Sequence, residues 1–238
     1  ILKGGIPEDL DVMINVGDAD TSYSGGEYWN NEELLVLVRR WVDEGHGFIG
    51  IGEPTAYRKN GGTFALADVF GVDKERGFTL GTDRYNAKAA EDHFIMQDAV
   101  LPIDYGKGTS DIYALDGTQI LDIVFPENAP RLLNSGEIKC AVNDFGKGRA
   151  VYFAGLPYSV QNARLLHRAL FWVAGKESEF YRAYSSHIDT ECSYYPKKKT
   201  YAIVNNGTKN CKTDLYNIAG FSRRITVKAG EIKWIKDR

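Results

Sequence analysis

The feature that most constrains this chain is an apolar run, a glycine- and carboxylate-rich loop, an amphipathic helix pattern and a second apolar run, in that order. Asp11 to Val16 (DVMINV) is β-branched and apolar with no helical period, as expected for a strand buried in a parallel sheet. Asn30 and Glu33 make a capping-box pattern, and Leu34, Leu35, Val38, Trp41 and Val42 then share one helical face until Gly45 ends it. Phe48 to Gly52 (FIGIG) is short and glycine-punctuated, and stops at Glu53-Pro54-Thr55. A strand, a crossover helix and a second strand predict a parallel βαβ unit. The loop GDADTSYSGGEYW, which starts at Gly17 and runs to Trp29, therefore leaves the carboxyl end of the first strand.

Further along, Thr63 to Phe70 reads as a short helix, and Ile112 to Leu115 and Ile120 to Phe125 as strands. The runs IKCAV and RAVYFAG flank Asn143 to Gly148, which predicts a hairpin. Ser159 is placed to cap a helix with Val160, Ala163, Leu166, Leu170 and Val173 on one side, closed by Gly175. After Lys176 the chain turns rich in Thr, Tyr, Val and Ile with turns at Asn206-Gly207, Ala219-Gly220 and Ala229-Gly230, the pattern of short antiparallel strands. The change of composition falls at about 176–190, and the division expected is an α/β domain over 1–180 and an antiparallel β domain over 181–238. The second should pack on the first through Tyr201, Ile203, Ile225, Val227 and Trp234, which alternate with polar neighbours.

Composition excludes several functions. A net charge of -3 with scattered basic residues argues against a nucleic-acid footprint or a polybasic membrane patch. No apolar run approaches the roughly 20 residues of a membrane span, so a soluble, cytoplasmic chain is expected. Cys140, Cys192 and Cys211 are too few and too irregular for a disulfide framework or a zinc knuckle and read as free thiols, a Cys192–Cys211 bridge being the alternative. The chain opens on Ile1 rather than Met and reads as a fragment.

The motifs of common chemistry are missing. No G-x-G-x-x-G opens the first helix pattern, and Gly106-Lys107-Gly108-Thr109 lacks the rest of a phosphate loop, so it reads as a turn. Glu53 stands where a nucleophile elbow would carry Ser or Cys, which removes acyl-transfer machinery. His46, His93, His167 and His187 form no i, i+4 pair, so no metal site is expected, and His93 beside Asp92 is the one most open to a functional role. Asp18, Asp20, Glu27 and Glu53 could gather at one sheet edge as paired carboxylates, although acidic loop residues are mostly solvated or bonded to amides.

The stretches GDADTSYSGGEYW, GHGFIGIGEPTAY, FALADVFGVDKERGFTL, DIYALDGTQIL and RAVYFAGLPYS resemble, in order and spacing, the carboxyl-terminal half of the 1,3-β-galactosyl-N-acetylhexosamine phosphorylases, also called galacto-N-biose/lacto-N-biose phosphorylases. The core also looks like the glutamine-amidotransferase-like domain appended to β-galactosidases. This resemblance implies an α/β fold with an open, mostly parallel sheet of amidotransferase-like (flavodoxin-like) type, then a small antiparallel β domain. It implies too a larger enzyme with an amino-terminal (β/α)8 barrel. Family members cleave a β-1,3-galactosidic bond with phosphate and inversion, giving galactose 1-phosphate and an N-acetylhexosamine, and a close relative acts on galactosyl-rhamnose. The general acid and the phosphate ligands then belong to the barrel, with no cofactor, and no catalytic residue is carried over to this chain. A catalytically inactive amidotransferase-like binding or assembly module is the alternative, and an independent hydrolase using Asp20, Glu27 or Glu53 is a third reading.

Three loops, Asp18 to Trp29, Glu53 to Tyr57 and Leu156 to Ser159, are expected to meet at one sheet edge and form a crevice there. Asp20, Tyr23, Glu27, Glu53, Tyr57 and Tyr158 are its candidate binding residues. Without a nucleophile, a base dyad or metal spacing, the edge reads as a docking surface, with Glu27 and Glu53 bonded to loop amides or hydroxyls, direct contact of the first loop with the barrel's substrate being the alternative. The loop aromatics Tyr23, Tyr28, Trp29 and Tyr57 point to a face covered by the barrel or by a second copy in a homodimer.

Overall fold

The computed structural model describes residues 1–57, 63–75, 92–125, 136–217, 219–220 and 222–237, so the stretch from 76 to 80 at the end of the third motif lies outside the described residues. Its centre is a five-stranded sheet of β1 (Val12–Gly17), β2 (Gly47–Gly52), β5 (Gln119–Val124), β6 (Glu137–Phe145) and β7 (Gly148–Phe153), in the order β1-β2-β7-β6-β5. A small pair, β3 (Val72–Lys74) with β4 (Ile112–Ala114), stands beside it.

The central sheet is mixed, which corrects the expected open, mostly parallel amidotransferase-like sheet. β1 with β2 and β2 with β7 are parallel, whereas β7 with β6 and β6 with β5 are antiparallel. The cause lies in the turn Phe145 to Gly148: a connection that short joins only antiparallel neighbours, since a parallel crossover needs a dozen or more residues. Among the described residues the fold is mostly β, with several small sheets and few helices. Among the described residues no helix is long and apolar enough to cross a membrane.

Strand alternation splits the interior into two cores. Phe48, Ala150 and Tyr152 point to the side of α1 (Glu32–Asp43) and α2 (Ala67–Phe70), where Leu34, Val38, Trp41 and Phe70 meet them. Ile49, Val151 and Phe153 point to α3 (Val160–Val173), whose Leu165, Ala169 and Val173 cover them. The glycines of β2 are packing requirements: a Cβ on Gly50 would stand 2.6 Å from Pro54 and 2.7 Å from the Phe70 ring. Asn31, one residue beyond the expected cap, accepts the Leu34 amide, because Asn30 closes a 3-10 turn. Ser159 accepts the Asn162 amide at 3.0 Å and opens α3.

Beyond the short α4 (Glu177–Phe180), two three-stranded antiparallel sheets face each other. One is β8 (Ala183–Ser185), β11 (Cys211–Asn217) and β12 (Ser222–Val227), and the other is β9 (Thr190–Tyr195), β10 (Thr200–Asn205) and β13 (Ile232–Lys236). Tyr201, Ile203, Ile225 and Val227 make a core between these sheets, separate from the other two, rather than packing on the central sheet. Trp234 is on the opposite, outer face, 56% exposed against Tyr195. The expected alternation is present but its inward side differs at this strand, because Ile235, not Trp234, pairs with Tyr201 across β10 and β13. Trp234→Ala should therefore change stability by less than about 1 kcal/mol, whereas Tyr201→Ala should cost about 3–5 kcal/mol. Thermal denaturation of the two variants checks this ranking, and an equal loss in both would place Trp234 back in the core.

Candidate functional site

The carboxyl ends of β1 and β2 are tied into one body by the backbone that leaves them. Gly52 has φ +79°, which turns the chain sharply after β2. The Glu53 amide then donates to the Gly17 carbonyl at 2.8 Å. Asn15 holds both loops at once: its Oδ1 accepts the Thr55 amide at 2.7 Å and its Nδ2 donates to the Ser24 carbonyl at 3.1 Å. Thr55 takes φ +53°, a strained angle for a β-branched residue, and is fully buried. Its hydroxyl accepts the Leu66 amide, so the elbow is pinned from three sides.

Glu53 is the centre of this arrangement and is only 6% exposed. Its Oε2 accepts the Ala19 amide at 3.0 Å and its Oε1 is ion-paired with Lys74 on β3. Beneath it, the Tyr152 hydroxyl donates to the Gly52 carbonyl at 3.1 Å. Burial pushes the Tyr152 phenol well above its usual range, with the Glu53 charge adding to the shift, so it is a fixed donor and not a base. A buried carboxylate with an ammonium on one oxygen and an amide on the other is a structural anchor. It joins the first loop, the elbow and β3.

Within the first loop, Ser24 is fully buried, and the Thr21 hydroxyl donates to the Asp18 carbonyl at 2.7 Å. The Trp29 indole, 7% exposed, donates to the Ser24 carbonyl. These inward contacts leave Tyr23 and Tyr28 facing out at 78% and 71% exposure. Asp20, at φ +58°, is also exposed, and Glu27 lies beside these tyrosines in the loop. The Glu27 side chain makes no hydrogen bond among the described residues, unlike the expectation that paired it with loop amides.

Tyr57 is half-buried and packs on the α1-side core, so it is a wall of the fold more than a surface group. The third loop leaves the same edge as the first two, since β7 lies parallel beside β2. It is held by the turn at Gly106 to Thr109: the Thr109 amide donates to the Ala154 carbonyl at 2.6 Å, and Asn162 bonds both Asp104 and Pro157. Tyr158 at its tip is 90% exposed. A cavity of about 460 Å3 lined by Tyr201, Leu215, Arg223 and Ile235 lies in the C-terminal sheets, away from this edge.

Three of the histidines pack against aromatic rings of the fold. His46 stacks on Trp41 and bonds its carbonyl at 2.7 Å. Burial, then the nearby Arg149, lowers His93, which packs edge-on against Trp172. Burial, then Arg164, lowers His167. The three cysteines are free, and burial pushes Cys192 up to about 12. Among the described residues no three His, Cys, Asp or Glu side chains gather to hold a metal.

Two residues that organise the elbow, Lys74 and Asn15, are not among those the sequence singles out. Nor is a buried cluster of Asp98, Arg164 and Arg168 between α3 and the C-terminal sheets. A signal for that cluster exists, because two arginines four residues apart interrupt the apolar face of α3.

Comparison with known proteins adds the following. The family model described as lacto-N-biose phosphorylase central domain matches residues 1–178, and the one described as its C-terminal domain matches 184–235. The chain is 44% identical over 96% of its length to a 1,3-β-galactosyl-N-acetylhexosamine phosphorylase of Lachnoclostridium phytofermentans, covering 30% of that protein. It is 35% identical over 98% of its length to the Bifidobacterium longum enzyme of that name, covering 34% of it. It is 31% identical over 86% of its length to a D-galactosyl-β-1→4-L-rhamnose phosphorylase of Lachnoclostridium phytofermentans, covering 26% of it. Among solved structures, a β-galactosidase from Rahnella sp. R3 superposes with a TM-score of 0.51 at 16% identity over 94% of this chain and 32% of that one. This last likeness concerns the fold alone, and it is to a β-galactosidase, not to an amidotransferase. The chain spans about a third or less of the length of the relatives it matches.

Proposed function

The chain belongs to the lacto-N-biose phosphorylase family, and on that premise we propose that it is the accessory carboxyl-terminal part of an inverting glycoside phosphorylase. The parent enzyme would convert a β-1,3-galactosyl-N-acetylhexosamine and phosphate into galactose 1-phosphate and the free N-acetylhexosamine. The acceptor is favoured over rhamnose by identities of 44% and 35% against 31%.

The observation that carries the accessory role is the state of Glu53. Inverting phosphorolysis needs one protonated carboxyl beside the leaving oxygen, while phosphate takes the place of the activated water. Glu53 is the buried carboxylate at the loop edge, and its contacts with the Ala19 amide and Lys74 turn it inward. The chemistry is then left to an amino-terminal (β/α)8 barrel. The exposed Tyr23, Tyr28 and Tyr158, with Asp20 and Glu27, form the edge on which other parts of the enzyme would dock, since tyrosines carry much of the energy of such contacts.

The test compares the 238-residue chain with the full-length enzyme, each given lacto-N-biose and phosphate. Galactose 1-phosphate is expected from the full-length enzyme and none from the chain. Product formed by the chain alone would overturn the accessory reading, and a full-length enzyme active only on galactosyl-rhamnose would overturn the choice of acceptor.

A further inference from the structure

The two edges of the central sheet are treated differently. β5, at one end, runs in an irregular register with β6, with shifts on either side of Asp122, and the Asp122 carboxylate accepts the Tyr105 hydroxyl at 2.8 Å. Bulges and inward charges of this kind keep a solvent-facing edge from pairing with other strands. β1, at the other end, has neither. Its six residues, VMINVG, pair with β2 in unbroken register and include no charge and no proline.

The face of β1 is equally unprotected. Ile14 and Val16 pair with Ile49 and Ile51, which puts them on the α3 side of the sheet. α3 packs over β2 and β7 and stops short of them, so Ile14 is 42% and Val16 39% exposed. Among the described residues no strand pairs with the outer edge of β1, and a β-branched pair open to water beside such an edge fits an interface better than a free surface.

Resting on the reading of the chain as the carboxyl-terminal part of a longer phosphorylase, we propose that the outer side of β1, its edge together with Ile14 and Val16, is buried in the whole protein by the amino-terminal part of the same polypeptide. Two observations choose this occupant over a second copy. The strip is about two residues wide, whereas a stable interface between separate molecules needs about 800 Å2 from each partner. A covalently linked segment has an effective concentration that can reach about the millimolar range, so a small apolar contact is enough. The relatives also extend well beyond the matched region, which covers only 30% of the first of them, so the material to cover the strip exists.

Hydrogen exchange of the β1 amides in the full-length enzyme and in the 238-residue chain, which has its own three cores, tests the proposal, with Ile14→Lys made in both. The β1 amides should exchange at least about tenfold more slowly in the full-length enzyme. Ile14→Lys should leave the Tm of the short chain within about 2 °C and lower the first unfolding transition of the full-length enzyme. Equal exchange in both proteins, with the full-length variant as stable as its parent, would overturn the proposal. Protection that grows with protein concentration would overturn it in favour of a second copy. Phosphorolysis by the unsubstituted full-length enzyme is measured alongside, so a wrong function and a wrong interface give different results.

Discussion

Asp98→Ala is expected to lower the Tm by roughly 10 °C, a large loss for a single polar side chain. The reason is what the substitution leaves behind. Asp98 is the carboxylate that faces Arg168, at 2.6 Å, and Arg164, at 3.4 Å, and these arginine side chains are only 2% and 5% exposed. The other Asp98 oxygen accepts the Tyr184 hydroxyl at 2.8 Å, and burial with this bond pushes the Tyr184 phenol up to about 12, which keeps it a donor. Arg168 also lies 4.4 Å over the Phe180 ring and 4.8 Å over Phe94. Arg164 donates to the carbonyls of Ser185, His187 and Thr190 at the start of the C-terminal sheets. Removing one partner of a buried ion pair strands the other charge in a low-dielectric site, at about 3–5 kcal/mol. For a chain of this size each kcal/mol is worth about 2–4 °C. Asp98→Ala combined with Arg168→Met should recover part of the loss, since a methionine in the aromatic cage leaves one fewer stranded charge. Thermal denaturation of the three proteins checks this, and an unchanged Tm for Asp98→Ala would show that the cluster contributes nothing to joining α3 to the C-terminal sheets.

That cluster also marks the limit of what local sequence can announce. The elements are legible because their signals are local: DVMINV and FIGIG by β-branching, α1 by its apolar face, α3 by Ser159 and Gly175. Sheet order is not, because it depends on which strand ends meet. The turn at Gly146 announces a hairpin, and that hairpin makes half of the sheet antiparallel, so the βαβ unit at the start does not extend to the whole domain. Alternation with polar neighbours favours Trp234 for the core, yet register with β10 decides which of Trp234 and Ile235 faces inward. At the candidate site, Glu53 stands out by its position after a glycine-rich strand. Its partner Lys74 is 21 residues away in sequence, and no local pattern announces that β3 passes beneath the elbow.

The second large effect is expected at Glu53, where stability and turnover should separate. Glu53→Gln keeps an acceptor for the Ala19 amide and removes the charge that faces Lys74, whose side chain is 23% exposed. A hydrogen bond to a charged group is worth about 1.5–3 kcal/mol, so the Tm should fall by several degrees. The loop from Asp18 to Trp29 should loosen with it, because its first turn hangs on that carboxylate. Catalysis should not follow, since Glu53 is turned inward onto the Ala19 amide and Lys74.

Steady-state phosphorolysis by full-length Glu53→Gln, normalised to folded enzyme and measured beside its Tm, is therefore the most direct test that this chain supplies support and not chemistry. The expected result is a lowered Tm with kcat within about twofold of the parent enzyme. A kcat reduced by orders of magnitude with the Tm and domain assembly intact would contradict it, and would make the loop GDADTSYSGGEYW part of the active site.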